Sequence, residues 1–206
     1  MKNYKEDAIK TFDKMASTYE NHYYGRQSRI MYNKLALKIE NIKHEYILDI
    51  GCGKGFFLEI FKDNKSKLYG ADISPEMIKY AQARLGNYAE FKVADSEKLP
   101  WNDNSFDIIS CILSFHHYPD PMKSLDEMKR VLKNNGHLTI AEVWVAAPFR
   151  YLSNLIAKSK FNRTGDVKVY SINEWQNMLQ NAGFVNISIE KTKSIFLIIT
   201  AEINKN

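Results

Sequence analysis

Short apolar runs alternate with amphipathic stretches through the middle of this 206-residue chain. Residues 45–50, 67–72, 89–93, 106–112 and 137–145 are rich in β-branched and aromatic side chains, which predicts strands. Between them, apolar positions recur at helical spacing over 55–62, 75–85 and 121–132. Ser74 and Asp120 are placed to cap the last two of these helices. Pro75 and Pro121 then fall where a first turn tolerates proline. Gly86 and Gly136 follow helical stretches, in the place of a C′ glycine. Such alternation predicts a parallel sheet with helices on both faces.

The ends of the chain have a different rhythm. Ser171-Ile172-Asn173-Glu174 is a capping-box pattern that opens a helix running to Ala182 and stopped by Gly183. Residues 184–190 and 194–202 predict an antiparallel hairpin turned by Lys191-Thr192-Lys193. Residues 1–44 predict helices, with Ile9, Phe12, Met15, Ala16 and Tyr19 at spacings of three and four. Residues 146–170 form a connection carrying Phe149, Arg150, Tyr151, Phe161 and Arg163. The reading is one domain: a helical cap (1–44), a core (45–145), a substrate-side insertion (146–170), and a closing helix and hairpin (171–206).

Composition narrows the class. The chain is 45% hydrophobic and 26% charged, as globular proteins are. No apolar run approaches the ~20 residues of a membrane span. The polar start, Met1 to Asp7, lacks the apolar core of a signal peptide. Cys52 and Cys111 are the two cysteines, and this usage predicts a reducing cytoplasm without disulfides. The net charge of +5 raises nucleic acid as a partner. However, the lysines are interleaved with acids and form no dense basic arm.

The chemistry begins at Ile47-Leu48-Asp49-Ile50-Gly51-Cys52-Gly53-Lys54-Gly55. A buried strand ends in glycines and a helix starts at once, which lets a ligand approach the backbone and the free N–H groups of the turn. No Gly-Lys-Ser/Thr follows, so this is not a P-loop. Phe56 stands where a dinucleotide fold carries its third small residue, which disfavours a nicotinamide cofactor. The string resembles the first motif of class I S-adenosylmethionine-dependent methyltransferases. Leu99-Pro100-Trp101 with Ser105-Phe106-Asp107, and Phe12-Asp13 with Ala16 and Tyr19, resemble the subgroup containing ubiquinone- and menaquinone-biosynthesis enzymes.

That resemblance implies a Rossmann-like, doubly wound α/β fold. Its mostly parallel seven-stranded sheet would take a C-terminal antiparallel hairpin strand and carry N-terminal helices. It implies S-adenosylmethionine as cofactor and S-adenosylhomocysteine as product. Asp49, Gly51, Cys52, Gly53 and Gly55 would form the cofactor turn. Asp72, about 20 residues on, ends the second strand where a carboxylate grips ribose hydroxyls; the same residue also suits a helix start. Ile73 would pack on the adenine. Asp95 would accept from the adenine amino group, and the Ser96 backbone would reach the ring. Tyr19 would cap the methionine end, and Ser110 would lie at the strand beside it. Trp101 is either core or a border of the adenine. Arg26 and Arg29 are candidates for a carboxylate.

Strand four ends in Ser110-Cys111-Ile112-Leu113-Ser114-Phe115-His116-His117. Adjacent histidines project in different directions and no third ligand is evident, so no metal site is expected. Lining of the cofactor crevice is the favoured reading, with His117 as the candidate catalytic base. The Asn/Asp-Pro-Pro-aromatic motif of amide-nitrogen methyltransferases is missing here. The expected reaction is direct displacement by a small-molecule acceptor; Tyr19, Trp144, Phe149 and Tyr151 either shape its apolar pocket or belong in part to the core. Two alternatives remain open. One is an RNA-modifying enzyme using Lys158, Lys160, Arg163 and Lys168. The other is a non-catalytic, cofactor-binding partner protein. A homodimer is possible on this reading.

Overall fold

A computed structural model describes residues 3–63, 65–159 and 162–205. Lys160 and Phe161 therefore lie outside the described residues. The chain opens with α1 (Tyr4–Met15), a 3-10 segment (Ala16–Asn21) and α2 (Tyr23–Ile39). The alternating core follows as β1 (Tyr46–Ile50), α3 (Phe56–Glu59), β2 (Lys67–Asp72), α4 (Pro75–Leu85), β3 (Ala89–Val93) and β4 (Phe106–Ile112). A 3-10 turn (Phe115–His117) leads to α5 (Pro121–Val131), β5 (Leu132–Val143) and α6 (Ala147–Lys158). The closing elements are α7 (Ile172–Asn181), β6 (Phe184–Lys191) and β7 (Phe196–Ile203).

The seven strands form one sheet in the order β3-β2-β1-β4-β5-β7-β6. The first five pair in parallel; β7 inserts antiparallel between β5 and β6. Apart from Asp49, Asp107 and Ser110, side chains along β1 and β4 are apolar on both faces because helices cover both. Leu48, Ile50, Ile109 and Cys111 join the core that Leu125 and Met128 of α5 and Trp175 of α7 complete. Ile47, Ile108 and Ile112 face the other way, onto Met31, Leu35 and Ile39 of α2 and Ile78 and Ala81 of α4. The period-two alternation of the strands thus feeds two separate cores.

The capping expectations hold at three helices. Ser74 accepts from the Met77 N–H, Asp120 accepts from the Lys123 N–H, and Ser171 with Glu174 forms the full capping box. Other expectations are corrected. The helix at 55–62 shortens to Phe56–Glu59 and continues in i→i−3 bonds from Ile60 to Phe57 and from Phe61 to Leu58. Gly86 caps α4 in the right-handed region, so it is not a left-handed C′ residue. Gly136 lies inside β5, which begins directly after α5, and Asn135 takes the positive φ of 60° instead. The 146–170 connection contains α6, whose Phe149, Tyr151, Leu152, Leu155 and Ile156 are exposed. No described helix is long and apolar enough to cross a membrane.

Candidate active site

The site grows from the turn after β1. The N–H groups of Gly51 and Cys52 both donate to the Ala71 carbonyl, at 2.8 and 3.0 Å, and so bind the turn to the end of β2. Gly51 has φ 73°, and a Cβ there would stand 2.0 Å from Ser114 Oγ. Gly53 has φ 52°, and a Cβ there would meet nothing within 4 Å. The first glycine is therefore required by packing. The second borders open space beside the turn.

That space is a cavity at the carboxyl ends of β1, β2 and β4, the place where open α/β sheets bind ligands. Its free volume, mouth included, is about 780 Å³. Of the residues expected at the cofactor, Tyr19, Gly51, Gly53, Asp72, Ile73, Asp95, Ser96 and His117 line it. Asp72 Oδ2 accepts the Gly53 N–H at 2.8 Å and Oδ1 accepts the Ser74 N–H at 2.9 Å. Each oxygen keeps a lone pair for another donor. Burial pushes this carboxyl up to about 6, against the pull of the Ser74 and Gly53 amides. Asp95 Oδ1 accepts the Glu97 N–H, while its Oδ2 meets Lys5 Nζ at 2.6 Å.

Lys5 belongs to α1, and so do Ala8 and Phe12, which also line the cavity. The helix is tied down at its far end as well, where Asp13 accepts from the Ser74 hydroxyl and the Glu76 N–H. The N-terminal segment thus roofs the crevice, and α1 is fastened to both the α4 start and the Asp95 loop. Tyr32, Ser114 and Tyr118 complete the wall, with Ser114 Oγ and Tyr118 Oη 3.0 Å apart. These residues were invisible to pattern reading, because nothing local marks a Lys, Tyr or Ser as facing a cavity.

Four expected residues stand one layer behind. Asp49 is buried and accepts from Ser110 Oγ at 2.7 Å; burial pushes its carboxyl up to about 7. Cys52 packs in the core beneath Gly70, and Gly55 serves as the left-handed N-cap of α3 against Phe91. Trp101 packs on Tyr69 and Phe106, away from the cavity. Arg26 donates to the Asn21 carbonyl, while Arg29 and Arg84 flank the Phe56 ring. The Phe56 ring is thus in contact with two guanidinium groups.

A second cavity adjoins the first, and Phe12, Tyr19, Leu113 and His117 line both. Its other apolar walls are Met15, Val143, Ile195 and Phe196. Of the aromatics expected to shape an acceptor pocket, only Tyr19 is there. Phe149 and Tyr151 are exposed on α6, and Trp144 packs under Lys191 Nζ at 3.9 Å. The hairpin supplies the wall instead, because β7 lies beside β5.

The histidines also differ from expectation. The 3-10 turn brings the two rings to 4.1 Å with a tilt of 40°, so they do not project apart. His116 Nδ1 contacts both Glu142 oxygens, at 3.1 and 2.9 Å. Burial lowers its pKa, but the Glu142 charge and hydrogen bond outweigh this and raise it. Glu142 is held low in turn, since the His116 charge overcomes the effect of burial. Burial, with the charge of His116 beside it, lowers His117 to about 4. Asp166 Oδ1 stands 3.3 Å from His117 Nδ1 and 3.7 Å from His116 Nε2.

Comparison with known proteins agrees with this geometry. Residues 48–140 match the family model described as a methyltransferase domain. An uncharacterized methyltransferase, YcgJ, from Bacillus subtilis is 32% identical over 152 residues, 70% of this chain and 59% of that protein. Demethylmenaquinone methyltransferase of Thermotoga maritima is 32% identical over 145 residues, 68% of this chain and 62% of that one. This chain therefore spans about three-fifths of the length of these two curated relatives. The crystal structure of a SAM-dependent methyltransferase from Aquifex aeolicus superposes with a TM-score of 0.65 at 26% identity, covering 82% of this chain and 88% of that one. With the strand order, the open glycine turn and the carboxylate at the end of β2, these likenesses show that the chain belongs to the class I S-adenosylmethionine-dependent methyltransferase family.

Proposed function

We propose that this chain transfers a methyl group from S-adenosylmethionine to a small-molecule acceptor held in the second cavity. The observation that carries the reading is the shared wall. Phe12, Tyr19, Leu113 and His117 border both the cofactor crevice and a mostly apolar chamber beside it. A donor in one space and an acceptor in the other would meet at that wall.

S-adenosylmethionine, when bound, supplies an electrophilic methyl group on a positively charged sulfur. The protein's own task is then alignment and exclusion of water, worth several kcal/mol of barrier. Asp72 offers its remaining lone pairs to ribose hydroxyls, and Gly53 leaves room for the ligand to approach. Asp95 and Ser96 sit where an adenine edge would be read, once Lys5 shares the Asp95 carboxylate. The α1 roof, with Phe12 and Ala8, keeps water from the junction. His117 stands at the junction and, with its pKa lowered to about 4, would meet an acceptor in its neutral form.

The enclosed apolar walls favour a small, largely apolar acceptor over a polynucleotide. Of the basic residues that an RNA reading would need, Lys168 is already paired with Glu174 at 2.6 Å. Calorimetric titration tests the proposal. Micromolar binding of S-adenosylmethionine and S-adenosylhomocysteine, followed by methylation in a panel of phenols, enols, amines and thiols, is expected. Absence of binding by either adenosyl ligand would overturn it. Methylation of RNA alone would replace the acceptor.

A further inference from the structure

We infer that His116, His117 and Asp166 form a divalent-cation site of the zinc type on the wall of the acceptor chamber. The three residues come from two places far apart in sequence. The histidines sit on the 3-10 turn after β4, and Asp166 lies in the connection between α6 and α7. One ligand atom from each lies within 4.8 Å of the other two. All three line the second cavity, so an ion among them would border the space assigned to the acceptor.

The spacing suits a small cation. Zinc bonds of about 2.0–2.1 Å in a tetrahedron place neighbouring ligand atoms about 3.3 Å apart. The Asp166 oxygen stands 3.3 Å from His117 Nδ1 and 3.7 Å from His116 Nε2. His117 Nδ1 is buried and makes no hydrogen bond, although the Asp166 oxygen is beside it. An ion between them would satisfy the His117 nitrogen.

The surroundings resemble a prepared site. A metal-binding histidine characteristically gives its other ring nitrogen to a carboxylate, which fixes the ring and its tautomer. Glu142, 3% exposed, does this to His116 Nδ1 and so leaves Nε2 for the ion. Asp166 is held in the same way, because its Oδ2 accepts from Thr164 Oγ1 at 2.6 Å while Oδ1 faces the histidines. The segment itself is fastened to the turn: the N–H groups of Val167 and Lys168 both donate to the His116 carbonyl. Asn162 adds a bond to the Asp166 carbonyl at 2.7 Å.

Two histidines and one carboxylate leave a coordination position open, as in catalytic zinc sites. On the methyltransferase reading above, that position would take the acceptor's own heteroatom, a phenolic or enolic hydroxyl or a thiol. Its O–H or S–H bond would break, the proton would pass to solvent, and the lone pair would remain on the cation-bound atom. The acceptor would thus be ionised and held at the wall shared with the cofactor crevice.

The test uses the purified full chain, stripped with chelator and titrated with Zn²⁺, and separately with Co²⁺ followed by visible absorption. One equivalent of Zn²⁺ and the visible bands of tetrahedral Co²⁺ are expected. Asp166→Asn and His116→Gln should each weaken Zn²⁺ binding at least tenfold. Glu142→Gln should weaken it by about 10- to 100-fold through the ring it positions. Binding of S-adenosylmethionine by Asp166→Asn, measured alongside, reports that the variant is folded. It also tests the methyltransferase reading separately from the ion. Failure to bind Zn²⁺ stoichiometrically, or equal binding by parent and Asp166→Asn, would overturn the site.

Discussion

Gly51 and Gly53 stand two residues apart in one turn, yet alanine should harm them in opposite ways. Both have positive φ, 73° and 52°, so each alanine carries about 1–2 kcal/mol of backbone strain. At Gly53 the new methyl group meets nothing within 4 Å, so strain is the whole cost to the fold. At Gly51 it would lie 2.0 Å from Ser114 Oγ and 2.4 Å from Ser114 Cβ. Relief requires moving Ser114 and giving up its bond to Tyr118 Oη. Overpacking adds about 1–3 kcal/mol, and the lost bond adds roughly 1 more. For a chain of this size, each kcal/mol lowers Tm by about 2–4 °C. Gly53→Ala should then lose about 2–8 °C, and Gly51→Ala about 6–24 °C. Cofactor affinity should divide the other way. The methyl of Gly53→Ala fills ligand space, so S-adenosylmethionine binding should weaken at least tenfold, about 1.4 kcal/mol. Thermal unfolding and calorimetric titration of both variants provide the readout. Unchanged affinity in Gly53→Ala, or equal Tm losses in the two variants, would refute the division.

Other outcomes follow from the buried carboxylates and the core. Asp72 has its carboxyl raised to about 6, and ribose hydroxyls prefer the ionised form. Cofactor affinity should therefore be constant above pH 7 and fall as pH drops through about 6; a flat profile from pH 5 to 8 would exclude Asp72 from the grip. Asp49 is raised from 3.8 to about 7, so between these values the folded state holds a proton that the unfolded chain releases. Its contribution to stability falls as pH rises across that window and is level above it. Asp49→Asn should raise the ligand-free Tm at pH 8 relative to parent by more than at pH 4, through up to about 4 kcal/mol; an equal change at both pH values would contradict this. Trp175 is 1% exposed beneath the sheet, so Trp175→Ala should cost about 3–5 kcal/mol in denaturant unfolding, and a loss under 1 would show the core to be looser than drawn.

Much of this molecule is determined by local sequence. The bounds of β2, β3, β4 and α4 follow from apolar periodicity and from Ser74-Pro75, because those signals act within a few residues. The glycine turn and the place of Asp72 at the end of β2 are legible for the same reason: both depend on backbone geometry at a strand end. Tertiary structure alone decided what faces the cavities. Lys5 reaches Asp95 across 90 residues, and no periodicity marks that pairing. Trp144, Phe149 and Tyr151 have pocket-like chemistry, but α6 leaves two of them in water, and Ile195 and Phe196 of the hairpin take the wall. The histidine pair shows the division most clearly. From sequence, adjacent residues project apart and lack a third ligand. In the fold, a 3-10 turn draws the rings together, Glu142 arrives from β5, and Asp166 from a distant segment. Side-chain direction in an irregular turn, and proximity across long stretches of chain, depend on packing that no local pattern encodes.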